Sequence, residues 1–130
     1  MMSKLVVIEE ENEWQDCLAN IVESLGYDVL TVSNFDQAIQ VISNCQPKAI
    51  LVDCSKSNAM FYKFLAWSKE QHPSIKIALY SGNNPSEVAK EQGIEHWFHA
   101  PFDIDEIKHV LEQFPNAHGT DSFRRLNLKL

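Results

Sequence analysis

The chain has 130 residues, of which 45% are hydrophobic and 22% charged, and its formal net charge is −7 at pH 7. These values predict one globular domain with its own core, and they exclude a fibrous repeat and a largely disordered chain. No apolar run reaches the ~20 residues of a membrane helix, and the N-terminal residues lack the pattern of a secretion signal, so we expect a cytoplasmic protein without a membrane partner.

Five short apolar runs alternate with five amphipathic patterns along the chain. The apolar runs predict strands at 5–8, 28–32, 48–53, 75–80 and 95–98. Residues at helical spacing follow each run and predict helices at 13–25, 35–45, 60–72, 85–92 and 104–114. Because crossovers between parallel strands are right-handed, this order predicts an α/β fold, in which a parallel sheet carries helices on both faces.

Capping residues support the ends of several helices. Ser33 or Asn34 is suited to begin the second helix, and Asp103 the fifth, since their side chains accept backbone hydrogen bonds. Gly26 and Gly93 stand where a helix ends in a left-handed residue. These positions indicate that the helices stop close to the predicted bounds.

Large apolar side chains of the helices are expected in the core. They include Trp14, Met60 and Ile104, each of which belongs to an apolar stripe at helical spacing. The fourth helix differs, because its apolar face contains only Val88 and Ala89. We therefore expect this helix to be weakly anchored and comparatively mobile.

Polar side chains follow three of the strands at their carboxyl ends. Glu9 and Glu10 follow the first strand, Asp53 ends the third, and Ser81 follows the fourth. Ligands of open parallel sheets bind at this edge, so we expect these side chains to share a crevice. Three carboxylates there repel one another unless a pKa rises or a cation neutralises them. Mg²⁺ prefers such oxygen ligands, and an aspartate beside it is suited to accept a phosphoryl group.

The order of these residues resembles the receiver domain of bacterial response regulators. The matching features are the acidic pair after the first strand, Asp53 after the third, Ser81-Gly82 after the fourth and Pro101-Phe102 after the fifth. The resemblance covers nearly the whole chain. It implies a flavodoxin-like fold, in which the five-stranded parallel sheet has the order 2-1-3-4-5, and a function in two-component phosphorelay signal transduction.

The resemblance also implies roles for the residues of the crevice. Asp53 matches the phosphoacceptor of the family, and Ser81 matches a hydroxyl that contacts the phosphoryl group. Glu9 and Glu10 match an acidic pair that binds Mg²⁺ together with Asp53, with Glu10 as the direct ligand. The backbone carbonyl of Ser55 is the third protein ligand that the family pattern implies.

Further implied features lie towards the end of the domain. Trp97 matches the switch aromatic residue of the family. Pro101 matches a proline that usually follows a cis bond, and Ala100-Pro101 is a plausible place for one because cis peptides occur before proline. Family members commonly bind a histidine kinase, a phosphotransferase or a downstream effector through the fourth helix, fifth strand and fifth helix, here residues 85–114.

Three departures from the family pattern lie in the same crevice. Ala100 stands where the family has an invariant lysine, and the pairing of such a lysine with a phosphoryl oxygen at ~4 Å and an effective dielectric of ~20 contributes about 4 kcal/mol. Glu9 and Glu10 replace two aspartates, and their extra methylenes displace the carboxylates from the close geometry that Mg²⁺ demands. Ser57 replaces a proline in the loop after Asp53. We therefore expect a pseudo-receiver in which Mg²⁺ binding is weak or absent.

Other interpretations of the same residues remain open. A working Mg²⁺-dependent phosphoacceptor at Asp53 is the main alternative. We do not expect an enzyme; at most, the protein catalyses phosphoryl transfer to its own Asp53. Asp53 is otherwise a plain strand-end acid, Glu9 and Glu10 a solvated acidic turn, and Ser81 a turn residue. Lys56 is a candidate replacement for the missing lysine. A flavin carrier or small flavodoxin-like enzyme is a third class, although the loop after the first strand lacks small phosphate-cradling residues.

Charge divides the chain into two parts. Up to Phe114 there are 8 basic and 17 acidic residues, whereas the remaining residues include three basic and one acidic. We therefore expect a receiver domain at 1–114 and a linker with a short basic tail at 115–130. The acidic domain disfavours nucleic acid as a partner. The three cysteines are widely spaced and predict neither a disulfide framework nor a zinc site.

Overall fold

Five strands and five helices alternate along residues 3–114, the part of the chain that the computed structural model describes. The strands are β1 Lys4–Ile8, β2 Asp28–Val32, β3 Ala49–Asp53, β4 Lys76–Ser81 and β5 His96–His99. The helices are α1 Asn12–Ser24, α2 Phe35–Cys45, α3 Ala59–Gln71, α4 Pro85–Gln92 and α5 Ile104–Glu112. The predicted linker and basic tail at 115–130 lie outside the described residues.

All strand pairings are parallel, and the strand order is β2-β1-β3-β4-β5. This order confirms the predicted α/β, flavodoxin-like topology. β3 lies at the centre of the sheet, and its apolar residues from Ala49 to Val52 are fully buried. A strand that is covered by helices on both faces requires such a continuous apolar run.

Alternate strand residues enter two separate apolar layers. One layer lies between the sheet and helices α2, α3 and α4, and it contains Val6, Ile50 and Leu79. The other lies between the sheet and helices α1 and α5, and it contains Leu51 and Tyr80. Because successive strand residues point to opposite faces, the position of a polar residue along a strand decides which layer it enters.

The predicted caps bound the helices. Of the two candidates for α2, Asn34 is the cap, and its side chain accepts a backbone N–H at 2.8 Å. Asp103 caps α5 in the same way at 2.9 Å. Gly93 ends α4 at a φ of 68°, in the left-handed region that glycine adopts without steric penalty.

Three large apolar residues that the pattern assigns to the core are exposed instead. The exposed fraction is 40% for Trp14, 45% for Ile104 and 55% for Met60. Each lies in the first turn of its helix, at the edge where the chain leaves a strand, and so extends past the covered part of the layer. Among the described helices, none has the length and apolarity needed to cross a membrane.

Candidate functional site

Three polar side chains lie in one row at the carboxyl edge of the sheet. Asp53 of β3 is paired with Tyr80 of β4. Glu9 continues β1, since its backbone N–H donates to the Val32 carbonyl at 3.0 Å. By strand alternation, the side chains of Glu9, Asp53 and Tyr80 all point towards the layer that helices α1 and α5 cover.

Asp53 is half-buried and lines a cavity of about 240 Å³. Its Oδ1 accepts the backbone N–H of Ser55 at 2.8 Å, which holds the carboxylate against the turn after β3. Glu10, Ser55 and Lys56 are among the other residues that line the cavity. A cavity of this size has room for several waters or a small ligand beside the Asp53 carboxylate.

Glu9 is 3% exposed, and both of its carboxylate oxygens accept hydrogen bonds from the protein. Oε1 accepts the Tyr80 hydroxyl at 2.6 Å, and Oε2 accepts the Glu11 N–H at 2.9 Å. The pKa of Glu9 is raised, chiefly by burial; the two hydrogen bonds oppose the rise, and the neighbouring Asp53 adds to it. Glu9 is therefore held inside the protein.

Glu10 has the opposite surroundings. Its side chain is 73% exposed, and its Oε1 lies 2.9 Å from the Nζ of Lys56. The hydrogen bond and charge of Glu10 raise the pKa of Lys56, and Asp53 contributes to a smaller extent. Lys56, the candidate replacement for the missing lysine, thus interacts electrostatically with Asp53 but forms its ion pair with Glu10.

Ser81 lies at the end of β4, and 2% of its surface is exposed. Its Oγ accepts the Asn83 N–H at 2.9 Å. Burial raises the pKa of the Cys54 thiol to about 11, Asp53 adds to this, and a hydrogen bond with Ser81 opposes it. Ser81 is not among the residues that line the cavity beside Asp53, so its contact with a group on Asp53 stays a prediction.

Ala100 is 7% exposed and follows the end of β5. Its N–H donates to the Ser81 carbonyl at 3.0 Å, and its peptide bond to Pro101 is cis. The methyl side chain brings no charge to the crevice. Of the described residues that line the cavity, Lys56 is the one cation.

Trp97 and His99 lie on β5, outside the lining of the cavity. Trp97 is half-buried and packs against the layer of helices α2, α3 and α4. The Nδ1 of His99 lies 2.7 Å from the Oε2 of Glu106, which joins β5 to α5. Both side chains therefore belong to the surface of residues 85–114 rather than to the Asp53 crevice.

Tyr80 is the residue of this row that no sequence pattern predicted. It is fully buried, with its ring stacked on Phe98 at 5.1 Å and edge-on to Phe102 at 5.4 Å between centroids. A buried tyrosine hydroxyl requires a hydrogen-bond partner. A tyrosine near the carboxyl end of the buried strand that neighbours β3 could therefore have been predicted to hydrogen-bond a polar side chain of the site.

The oxygen donors near Asp53 suit Mg²⁺ in chemistry, but they do not form a closed carboxylate cluster. No three His, Cys, Asp or Glu side chains within residues 3–114 are grouped to hold a metal ion. Glu9 is turned into the protein, which leaves Glu10, Asp53 and the Ser55 carbonyl as donors. Mg²⁺ is usually held by one or two carboxylates and completes its shell with waters, so this smaller set fits it, with Lys56 competing for Glu10.

Comparison with known proteins relates the chain to response regulators. No protein-family model matches it. It is 26% identical over 124 residues to the transcriptional regulatory protein YxdJ of Bacillus subtilis, which is 91% of this chain and 53% of that protein. It is 22% identical over 117 residues to the sporulation initiation phosphotransferase F of the same species, which is 88% of this chain and 94% of that protein. The chain thus spans about half the length of YxdJ.

Solved structures of receiver domains have the same fold. The receiver domain of NtrX from Brucella abortus matches with a TM-score of 0.74 and 24% identity, over 84% of this chain and 95% of that one. The receiver domain of the sensor histidine kinase PA1611 from Pseudomonas aeruginosa, which has a magnesium ion in its active-site cleft, matches with a TM-score of 0.76 and 21% identity, over 88% and 98%. The chain is therefore a homologue of response-regulator receiver domains and has their fold.

Proposed function

We propose that this receiver domain is a signalling module with a degenerate phosphorylation site, and that it acts through contacts with a protein partner. The observation that carries the proposal is the buried Ala100, at the position of the family's lysine. A phosphoryl group on Asp53 adds up to about two negative charges beside Glu9 and Glu10. Lys56, which already pairs with Glu10, is the cation of the cavity lining that remains to offset them.

The proposed Mg²⁺ site consists of Glu10, Asp53 and the backbone carbonyl of Ser55. When bound, Mg²⁺ supplies positive charge that offsets the charge of phosphoryl oxygens. Glu9 does not bind the cation directly, but its negative charge adjoins the Asp53 carboxylate. Because Lys56 has to release Glu10 before the carboxylate faces a cation, we propose that Mg²⁺ binds weakly.

A working phosphoacceptor at Asp53 is the second candidate function. It is supported by the half-buried carboxylate at the cavity, which leaves room for a phosphoryl donor. An Asp53 oxygen attacks the phosphorus of an acyl phosphate or a phosphohistidine, and the new O–P bond forms as the bond to the donor breaks. The donor leaves as a carboxylate or an imidazole. The Ser81 hydroxyl donates to a phosphoryl oxygen, and no further enzymatic step is proposed.

Residues 85–114 are the proposed contact surface for a histidine kinase, a phosphotransferase or a downstream effector. Helix α4 packs Pro85 and Ala89 against the sheet, while Glu87, Lys90 and Glu91 are exposed on its outer face. Trp97 is half-buried and offers an aromatic side chain next to this helix. Such a face is suited to protein contacts, while the acidic domain gives no reason to propose nucleic acid or a membrane.

Incubation with Mg²⁺ and acetyl phosphate, followed by intact-mass measurement, tests the degenerate site. We expect the wild-type protein to form no stable adduct, because Ala100 supplies no ammonium group and Lys56, the cation of the cavity lining, is paired with Glu10. Asp53→Asn is the matched control. A phosphoryl adduct that forms in the wild type and is lost in Asp53→Asn overturns the degenerate site and establishes the second candidate.

Complementation in cells tests the contact surface. We expect Trp97→Ala to abolish the output of the protein and Asp53→Asn to retain it. Trp67→Ala is the matched control, because Trp67 is also half-buried but lies on α3, outside residues 85–114. An output that survives Trp97→Ala and fails in Asp53→Asn contradicts signalling through this surface without phosphorylation.

A further inference from the structure

The hydrogen bond between Tyr80 and Glu9 spans the strand that carries Asp53. Tyr80 belongs to β4 and Glu9 follows β1, and β3 lies between these two strands. Neighbouring strands are ~4.8 Å apart, so the Tyr80 side chain of β4 has to extend across β3 to reach the residue that follows β1. Asp53 is paired with Tyr80 and points to the same face. The Tyr80 hydroxyl therefore reaches Glu9 across the row position of Asp53.

Packing fixes the position of the Tyr80 hydroxyl. The ring is fully buried, stacked on Phe98 with an interplanar angle of 15° and edge-on to Phe102 at 72°. Burial, followed by the hydrogen bond with Glu9, raises the pKa of Tyr80, so the hydroxyl keeps its proton and remains a donor. A donor on a ring that is held from two sides has little freedom to turn to another acceptor.

Glu9 is held by this donor and by a second one. The Glu11 N–H binds Oε2 at 2.9 Å while the Tyr80 hydroxyl binds Oε1 at 2.6 Å. Each oxygen thus has a protein partner. Release of one oxygen to a cation breaks a hydrogen bond to a charged acceptor inside the protein, which is among the stronger kinds.

We propose that Tyr80 is a positioning residue of the crevice: its hydroxyl commits Glu9 to the protein interior, so that Glu10 and Asp53 are the carboxylates that face a cation. Position 100 is an alanine, so no lysine there offsets the charges of Glu9 and Asp53. The hydrogen bond from Tyr80 to Glu9 stabilises the Glu9 carboxylate next to Asp53 in the absence of that lysine. The statement about the cation rests on the proposed function, whereas the positioning of Glu9 does not.

Amide NMR of the metal-free protein tests the positioning of Glu9. Tyr80→Phe keeps the stacked ring and removes only the hydroxyl. We expect the Glu11 amide resonance to shift by several times the shift that Tyr62→Phe causes, because Glu9 links the Tyr80 hydroxyl to the Glu11 N–H. Tyr62 is a half-buried tyrosine of α3 and serves as the control.

The same measurement separates positioning from packing. In a Glu9→Gln background, removal of the Tyr80 hydroxyl should shift the Glu11 amide much less, because the carboxylate that relays the change is absent. A Glu11 shift no larger than that of Tyr62→Phe overturns the proposal. A shift of equal size in the Glu9→Gln background also overturns it, because the effect then does not pass through the carboxylate.

Magnesium titration by calorimetry at pH 8 tests the effect on the cation site. Tyr80→Phe should bind Mg²⁺ about tenfold more tightly than the wild type, the size of effect that residues behind metal ligands commonly have, because Glu9 gains an oxygen that is free to face the cation. The gain should vanish in Tyr80→Phe/Glu9→Gln and be absent in Tyr62→Phe. Unchanged or weaker binding in Tyr80→Phe overturns the withdrawal of Glu9. If wild type and Tyr80→Phe both bind no Mg²⁺, the proposed cation site is refuted, and the Glu11 shift decides the role of Tyr80.

Discussion

Two rows of side chains at the carboxyl edge of the sheet, one residue apart along each strand, have opposite chemistry. The row that faces helices α2, α3 and α4 consists of Ile8, Val52, Leu79 and Trp97. The row that faces helices α1 and α5 consists of Glu9, Asp53, Tyr80 and Phe98. The same strands therefore supply an apolar row on one side and a polar row on the other. The cavity beside Asp53 lies towards α2 and α3, since Ser33, Phe35 and Asn58 are among the residues that line it.

The difference shows what permits polar groups at this depth. Glu9 is as buried as its apolar neighbour Ile8, which is 5% exposed, but both of its oxygens are hydrogen-bonded. Asp53 is half-buried and is held by the Ser55 N–H. A slip of one residue in register moves these carboxylates into the layer of α2, α3 and α4, where unpaired charge is costly. The hydrogen bonds of the polar row thus also specify the register.

The largest expected effect comes from removal of the ring that anchors the polar row. Tyr80→Ala should lower the free energy of unfolding by about 3–5 kcal/mol, because a fully buried aromatic side chain leaves a cavity. Trp97→Ala in the apolar row should lower it less, since Trp97 is half-buried. Urea denaturation measures both values. A larger loss in Trp97→Ala than in Tyr80→Ala contradicts the view that the polar row is part of the core.

The next effect comes from adding the missing cation beside the polar row. Ala100→Lys should form an acetyl phosphate adduct on Asp53 where the wild type forms no stable one, since an ion pair at ~4 Å and an effective dielectric of ~20 is worth about 4 kcal/mol. Intact mass in the presence of Mg²⁺ measures the yield. Ala66→Lys, at an exposed position of α3, is the control for added charge.

The outcome of that substitution assigns the defect to particular residues. A gain in Ala100→Lys and none in Ala66→Lys attributes the degeneracy to position 100. If neither variant gains, the fault lies in Glu9 and Glu10, whose carboxylates are turned to Tyr80 and Lys56.

Most of the fold follows from patterns that are local in sequence. The continuous apolar runs of β1 and β3 indicate central strands, and Asn34, Gly93 and Asp103 bound helices by short-range hydrogen bonds and backbone preferences. The position of Asp53 at a strand end also follows, because parallel strands present their carboxyl ends at one edge. These features require no knowledge of distant contacts.

The directions of the acidic side chains do not follow from the sequence in the same way. Glu9 and Glu10 are adjacent and identical in chemistry, but one binds Tyr80, 71 residues away, and the other binds Lys56, 46 residues away. Strand alternation separates them to different faces, and only the assembled sheet brings the partners near. Trp14 and Met60 illustrate the same limit, since their spacing indicates a core stripe while their place in the first turn exposes them.

A smaller effect should appear in the pH dependence of stability. Burial raises the pKa of Glu9 above 4.5, so the folded state holds this proton more tightly than the unfolded state. Stability from the neutral carboxyl is present below pH 4.5 and is lost as the pH rises through the folded-state pKa. Relative to Glu9→Gln, the wild type should therefore lose stability across this window.

Urea denaturation in metal-free buffer from acidic to neutral pH measures this difference. Glu91→Gln on α4 is the control, because it replaces an exposed carboxylate. If the difference between Glu9→Gln and the wild type varies no more with pH than that of Glu91→Gln, Glu9 is not desolvated in the folded state. The buried position of the polar row is then contradicted.

The smallest effect on stability should come from the exposed ion pair at the mouth of the crevice. The side chains of Lys56 and Glu10 are 76% and 73% exposed, and surface pairs of this kind contribute little to stability because solvent screens their charges. Lys56→Met should therefore change the free energy of unfolding no more than Lys63→Met, which removes an exposed lysine of α3 outside the cavity lining. Mg²⁺ titration should separate the two variants, because Lys56→Met frees Glu10 and removes a competing cation, so its affinity should rise above that of Lys63→Met. Equal affinity in the two variants contradicts competition by Lys56, since a cation held by Glu10 has to displace the ammonium group that occupies its Oε1.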